Sequence, residues 1–163
     1  MNIYMTIGTL DFLKKIQAKY PNETMVPMLG TNGALLLHET KGKTVFSTPR
    51  KYVVLESIGE IGSNGLVIMN NIPVTDEGRP IFEHQFKNRV HSIENETGFI
   101  ALRFLRPQAS RTYVMIAIWE NKTSYENWKS SSSCWEKDLK SIGKNGANLF
   151  DSSPHTNQYT ITE

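Results

Sequence analysis

The sequence predicts an α+β fold, because short apolar segments of strand character alternate with amphipathic segments of helix character along the chain. Residues 1–62 follow the order βαββα, and residues 66–163 follow the order βαββαβ. The second order is that of a ferredoxin-like module, in which both helices cover one face of an antiparallel sheet. The other face needs a second sheet. We therefore expect the truncated first half to cover it, which makes the chain a single-chain pseudo-dimer and a monomer.

Capping and turn residues define the elements of the first half. Thr9 is a candidate N-cap, and Pro49 suits the first turn of a helix. The side chains of the second helix match those of the last helix of the chain at one constant offset, which indicates an internal repeat. The first helix would bury the stripe Phe12, Ile16 and Tyr20. The predicted elements are a strand over 3–7, a helix over 9–20, a hairpin of 25–29 and 34–38, and a helix over 49–58.

The second half has clearer periodicity. Its first helix has one apolar stripe formed by Phe82, Phe86, Val90 and Ile93. Its second helix contains four consecutive serines, residues 130–133, which favour a kink or a break because serine competes for backbone hydrogen bonds. The predicted elements are strands over 66–74, 99–105, 113–119 and 159–161, a helix that opens within 76–80 and continues to 93, a helix over 125–140, and a loop over 143–153.

Composition excludes several classes of function. The chain has 163 residues, a formal net charge of +2 with scattered basic residues, and one cysteine, Cys134. No nucleic-acid partner is expected from this charge pattern, and no apolar run approaches the roughly 20 residues of a membrane span. The N-terminus does not resemble a signal peptide, and a lone thiol suits a reducing compartment, so we expect a cytoplasmic protein. The four histidines have no metal-site spacing.

Two positions are candidates for a site. Asn70 lies within an apolar strand, where an amide is costly unless it is hydrogen-bonded, and it shares a face with Ile68 and Ile72. Either it contacts a ligand, or it satisfies backbone groups near the strand end, as its neighbour Asn71 also could. Trp128 lies on the apolar stripe of the last helix. It is either part of the core or the wall of a pocket for a flat aromatic ligand.

Several short motifs, taken together, resemble the IsdG-type haem-degrading monooxygenases of the antibiotic biosynthesis monooxygenase superfamily. The resemblance is strongest to the two-part, HmoB-like members from Bacillus, to which staphylococcal TRAP is related. It extends over the whole chain. The motifs are Tyr4-Met5-Thr6, Gly8-Thr9, Asp11-Phe12-Leu13, His38-Glu39-Thr40, Asn70-Asn71-Ile72, Glu77-Gly78-Arg79-Pro80, Phe86-Lys87-Asn88-Arg89, Leu105-Arg106-Pro107 and Trp119-Glu120 ahead of Trp128.

The resemblance implies a haem site and names its residues. It implies that Asn70 hydrogen-bonds near the haem iron and that Trp128 packs on the porphyrin. It also implies an iron-ligating histidine ten residues after Trp128, but this chain has Asp138 there, with Leu139 next to it. A carboxylate is a harder, charged ligand beside an apolar ring, so the haem site is either altered or lost.

Three functions follow from this resemblance. The first is haem degradation, in which haem is substrate and cofactor, an external electron donor reduces its iron, and the ring is opened with release of iron. The second is a non-catalytic, TRAP-like regulatory or interaction role. The third is cofactor-free monooxygenation of a small aromatic substrate. Asn70 and Trp128 favour the first function, whereas Asp138 favours the other two.

Overall fold

A computed structural model of the protein describes residues 1–139 and 149–162. The described part contains eight strands, three helices and a 3-10 turn, with a further helical turn over residues 136–139. The elements are β1 (Asn2–Gly8), α1 (Leu10–Lys19), β2 (Thr24–Gly30), β3 (Gly33–Thr40), β4 (Arg50–Ile58), β5 (Leu66–Pro73), α2 (Arg79–Arg89), the 3-10 turn (Val90–Ile93), β6 (Phe99–Pro107), β7 (Thr112–Trp119), α3 (Lys122–Lys129) and β8 (His155–Ile161).

The eight strands form one closed barrel in the order β1-β3-β2-β8-β5-β7-β6-β4, with β4 pairing back onto β1. The order contains the same pattern twice. In the first half it is β4-β1-β3-β2, and in the second half it is β8-β5-β7-β6, so each half has its fourth, first, third and second strands in that sequence. This is the strand order of a ferredoxin-like sheet, and the predicted α+β, ferredoxin-like fold is confirmed. The β2–β8 and β4–β6 pairs join the halves.

Strand alternation divides the core into three layers. The barrel interior is filled by apolar side chains from all eight strands, Met5, Met69 and Ile116 among them. Alternate residues of the second half point outward and pack under α2, α3 and the residues that follow α3. The outer face of the first half packs under α1 through Leu13. Because β5 lies between two cores, its two asparagines face opposite sides of the sheet.

The predicted helix over 49–58 is wrong, since β4 occupies Arg50–Ile58. The run Tyr52-Val53-Val54 is aromatic and β-branched, which favours a strand, and a proline suits the start of a strand as well as that of a helix. Tyr52 and Val54 point into the barrel at strand spacing. The side-chain repeat that equated this segment with the last helix is therefore wrong too. The first half keeps its fourth strand and lacks a second helix, and Phe46 in the connection before β4 is buried instead.

Two helices differ in detail from the prediction. In α1, Thr9 is the N-cap as predicted, but Leu13 is the buried residue, while Phe12 is 58% exposed. The last helix ends at Lys129, and the predicted break at the serine run is confirmed. The hydroxyl of Ser131 donates to the backbone carbonyl of Trp128 at 2.8 Å, which helps to end the helix. The predicted loop over 143–153 lies, up to residue 148, outside the described residues.

A buried ion pair ties the two halves together near the junction of β4 and β6. Arg103 on β6 donates from Nε to Oε2 of Glu39 on β3 at 2.6 Å. Its Nη1 also donates to the carbonyls of Ile58 at 3.1 Å and Gly59 at 2.9 Å. The buried charge is thus both paired and hydrogen-bonded, as a stable interior requires. No helix of the described residues has the length and apolar character needed to cross a membrane.

Candidate ligand pocket

A pocket of about 820 Å³ lies between α3, the outer faces of β5 and β8, and the residues around the serine break. This volume falls in the upper part of the range for small-molecule sites, roughly 300–1,000 Å³. It is lined by Ile68, Asn70, Lys122, Tyr125, Glu126, Lys129, Glu136, Leu139, Phe150, Ser152, Ser153, Pro154, Thr156 and Gln158. A second cavity of about 480 Å³, beside Arg50 and Tyr159 at an end of the barrel, contains none of the predicted site residues.

Asn70 lines the pocket and is fixed there by two side chains. It is 4% exposed and shares one face of β5 with Ile68, as predicted, and the structure shows that this is the outer face. Its Nδ2 donates to Oε2 of Glu136 at 2.9 Å, and its Oδ1 accepts from the hydroxyl of Thr156 at 3.1 Å. The neighbouring Asn71 faces the barrel and donates to Oδ1 of Asn157 at 2.7 Å. Both amides are therefore hydrogen-bonded, but only Asn70 belongs to the pocket.

Tyr125 and Glu136 form a second polar contact in the pocket wall. The Tyr125 hydroxyl donates to the Glu136 carboxylate, at 3.0 Å from Oε1 and 3.1 Å from Oε2. Burial raises the pKa of Tyr125 well above its usual value, and the negative charge of Glu136 raises it further. Tyr125 therefore stays a neutral donor. The ammonium group of Lys129 lies 5.3 Å from the centre of its ring and brings a positive charge to the rim.

Trp128 is part of the core next to the pocket. Its side chain is 0% exposed and does not line the cavity. Its ring packs against Trp119 at 5.4 Å and Trp135 at 5.0 Å between ring centres. Its Nε1 has no hydrogen-bond partner within the described part of the chain. This arrangement favours the interpretation of Trp128 as a core residue. Its ring packs behind Tyr125, which lines the pocket and whose ring centre lies 6.2 Å from that of Trp128.

Asp138 lies outside the pocket. Its Oδ2 accepts from Nε of Arg89 on α2 at 2.7 Å, and Arg89 also donates to the carbonyl of Ser132 at 3.2 Å. The neighbouring Leu139 is buried and lines the cavity instead. The break after Lys129 changes the direction of the chain, so a helical register counted from Trp128 does not hold at residue 138. The structure thus brings Asn70 to the pocket and Trp128 next to it, but not Asp138.

Glu136 and Thr156, which hold Asn70, were not predicted from the sequence, and Leu139 was considered only as the neighbour of Asp138. Glu136 and Leu139 lie in the helical turn after the break, whose orientation no helical count can give. Thr156 pairs with Asn70 in the β5–β8 register, but the predicted last strand began only at Tyr159. A longer strand prediction, over the polar residues of 155–158, would have found this partner of Asn70.

The pocket offers no imidazole. His38 is buried between Glu23 and Thr44 in the first half, and His91 pairs with Glu56 and Glu94. None of the four histidines lines the cavity, and residues 140–148 contain no histidine. Among the residues that the structure describes, no group of three or more histidine, cysteine or acidic side chains is arranged to hold a metal ion.

Part of the pocket wall lies in a segment that matches a known protein family. Residues 65–135 match the family model described as antibiotic biosynthesis monooxygenase. The matched antibiotic biosynthesis monooxygenase segment runs from β5 to Trp135, so it includes Asn70 and Trp128. The chain that contains this segment has a ferredoxin-like fold.

Two similar proteins differ in function. "Signal transduction protein TRAP" of Staphylococcus epidermidis is 26% identical over 80% of this chain and 78% of its own length. A "Heme-degrading monooxygenase" of Listeria monocytogenes is 24% identical over 79% and 77%. The structure described as a major regulator of staphylococcal pathogenesis aligns over 99% of this chain and 98% of its own, with a TM-score of 0.83 at 23% identity. The likeness of that structure concerns the fold.

Proposed function

We propose that this chain is a haem-degrading monooxygenase-like protein that binds haem in the pocket between α3 and β5–β8. The observation that carries the proposal is the fixed amide of Asn70 on the wall of a cavity of about 820 Å³. Haem would be both substrate and cofactor, supplying the iron at which oxygen is activated, and an external electron donor would supply electrons. The products would be an opened ring and released iron. The similarity to the Listeria enzyme supports this choice of ligand.

The described pocket residues can contact a haem ring, but they do not provide a good ligand for its iron. Ile68, Leu139 and Phe150 offer apolar contact to a flat macrocycle, and Lys122 and Lys129 suit its acidic substituents. No histidine reaches the pocket, and the raised pKa of Tyr125 opposes the tyrosinate form that would ligate iron. We therefore expect wild-type protein to bind hemin weakly, without a histidine-ligated spectrum.

A second candidate is a non-catalytic, TRAP-like regulatory role. The specific observation in its favour is the Asp138–Arg89 ion pair. Asp138 stands where the iron ligand is expected, and instead of facing the pocket it holds the segment after the serine break against α2. The similarity to the staphylococcal protein also supports a regulatory role. In this case the pocket would bind a ligand without turning it over.

Turnover separates the two candidates. Hemin is added to the wild-type protein in air, and ascorbate is supplied as the electron donor. The Soret absorbance is followed by visible spectroscopy, and the released ferrous iron is detected with a chelator. Haem degradation predicts loss of the Soret band with iron release, and a rate at least about tenfold lower in Asn70→Ala. Asn71→Ala is the matched control, since Asn71 faces the barrel, and it should keep the rate.

Two other outcomes would favour different functions. Saturable hemin binding without ring opening would support the regulatory role. Failure to bind hemin at all would remove haem from the proposal and leave the cofactor-free oxidation of a smaller aromatic substrate to be tested.

We also propose that residues 1–62 and 66–163 are the two halves of a single-chain pseudo-dimer that is monomeric and works in the cytoplasm. The repeated strand order supports this division, and the barrel gives every described strand two neighbours, so no sheet edge is left for a partner. Light scattering at micromolar concentration should give the mass of one chain. A stable dimer would contradict this proposal. The one cysteine, Cys134, is buried and free, which suits a reducing compartment.

A further inference from the structure

We propose that Glu136 is the positioning residue of this pocket: its carboxylate holds the Asn70 amide and the Tyr125 hydroxyl in the orientation that a bound ligand meets. The inference rests on the proposed function only for the identity of that ligand. The hydrogen bonds of Glu136 to Asn70 and Tyr125 are formed within the protein and do not depend on which ligand binds. No motif in the sequence singled out Glu136.

The carboxylate links three elements that are far apart in the sequence. Glu136 lies in the helical turn after the serine break, Asn70 on β5 and Tyr125 on α3. Oε2 accepts from Asn70 at 2.9 Å and from Tyr125 at 3.1 Å, while Oε1 accepts from Tyr125 at 3.0 Å. Hydrogen bonds to an ionised acceptor are stronger than neutral ones. One side chain therefore joins the sheet, the helix and the segment beyond the break.

These contacts allow only one orientation of the Asn70 amide. If its oxygen and nitrogen were exchanged, the amide oxygen would face the carboxylate of Glu136 across 2.9 Å, and two acceptors would repel each other. The Thr156 hydroxyl holds the opposite end by donating to Oδ1. An amide nitrogen carries two hydrogens, and Glu136 takes one of them. The other has no acceptor among the residues that the structure describes, and it can be donated to a ligand in the cavity that Asn70 lines.

Glu126 provides a matched control within the same pocket. It also lines the cavity, but its side chain is 59% exposed, and its Oε1 lies 4.0 Å from Nζ of Lys122. An exposed pair of this kind contributes little to structure. Removing Glu126 thus removes one pocket carboxylate and leaves the hydrogen bonds of Asn70 and Tyr125 to Glu136 in place; its charge only adds to the raised pKa of Tyr125.

The test follows the side-chain amide signals of Asn70 in a ¹⁵N–¹H correlation spectrum, assigned by their loss in Asn70→Ala. We expect Glu136→Ala to shift and broaden these signals, because the amide loses its acceptor. Glu136→Gln should largely restore them, since a glutamine oxygen can still accept from Nδ2. Glu126→Ala should leave them in place. Unchanged Asn70 signals in Glu136→Ala would overturn the inference.

Ligand binding gives a second, separable readout. Glu136→Ala should weaken hemin binding about tenfold, or roughly 1.4 kcal/mol, and Glu136→Gln by much less. If hemin binds to none of the proteins, the proposed function fails, but the amide spectrum still decides the role of Glu136. Should Glu136→Ala not fold, Tyr125→Phe replaces it. That variant keeps the carboxylate and should keep the Asn70 signals, whereas loss of these signals would show that Glu136 does not hold the amide by itself.

Discussion

Replacing Leu139 with histidine is expected to tighten hemin binding at least about tenfold, or roughly 1.4 kcal/mol, and to produce a histidine-ligated Soret spectrum. Leu139 is 3% exposed and lines the pocket, so an imidazole at this position would face a ring bound there. Neutral imidazole is a good ligand for haem iron, and the pocket does not otherwise provide one. The change is close to isosteric and introduces no fixed charge.

Asp138→His is the adjacent control and is expected to give no gain. The resemblance to haem-degrading monooxygenases assigns the imidazole to residue 138, but Asp138 points to Arg89. The substitution would break that pair, which is about one-third exposed on both sides and contributes little to stability. Hemin titrations of the two variants and the wild type, under the same conditions, measure the difference. Tighter hemin binding in Asp138→His with no gain in Leu139→His would show that residue 138, and not residue 139, faces the ring, as in an unbroken helix counted from Trp128.

Trp128→Ala is expected to lower the free energy of unfolding by about 3–5 kcal/mol, as for other large buried side chains. The ring is 0% exposed and packs between Trp119 and Trp135, so truncation leaves a cavity lined by rigid aromatic neighbours. Urea unfolding followed by far-ultraviolet circular dichroism measures the loss without depending on tryptophan fluorescence.

Trp128→Phe is the matched control, and it should lose roughly half as much stability because most of the ring volume remains. The indole N–H that it removes has no hydrogen-bond partner in the described structure. A loss below about 1 kcal/mol in Trp128→Ala, together with abolished hemin binding, would contradict the core role and make Trp128 a wall of the pocket.

The second half was the more predictable part of the fold. Its strands are apolar runs ended by turn residues, and the stripe from Phe82 to Ile93 is buried as its spacing predicts. The first half was harder. Tyr52, Leu55 and Ile58 fit a helical stripe, but β-branched residues lie between them. The segment forms a strand because it pairs with both β1 and β6. Local patterns do not contain such long-range pairing.

The site was predictable only where it lies on regular structure. Period-2 alternation places Asn70 on the same face of β5 as Ile68 and Ile72, and the structure shows that this is the outer face. Residues beyond the serine break could not be placed, because their direction depends on the docking of Ser132 and Asp138 onto Arg89. Glu136 and Leu139 therefore emerge only from the three-dimensional structure. The contact between Glu136 and Asn70 spans 66 residues of sequence.

We propose that this pocket takes a haem-sized ring without an iron-ligating histidine. Titrating wild-type protein with hemin and recording the visible spectrum tests it most directly. We predict saturable, weak binding with a Soret band that differs from the histidine-ligated band of Leu139→His. A tight complex with a histidine-ligated spectrum in the wild type, or no saturable binding at any hemin concentration, would contradict the claim.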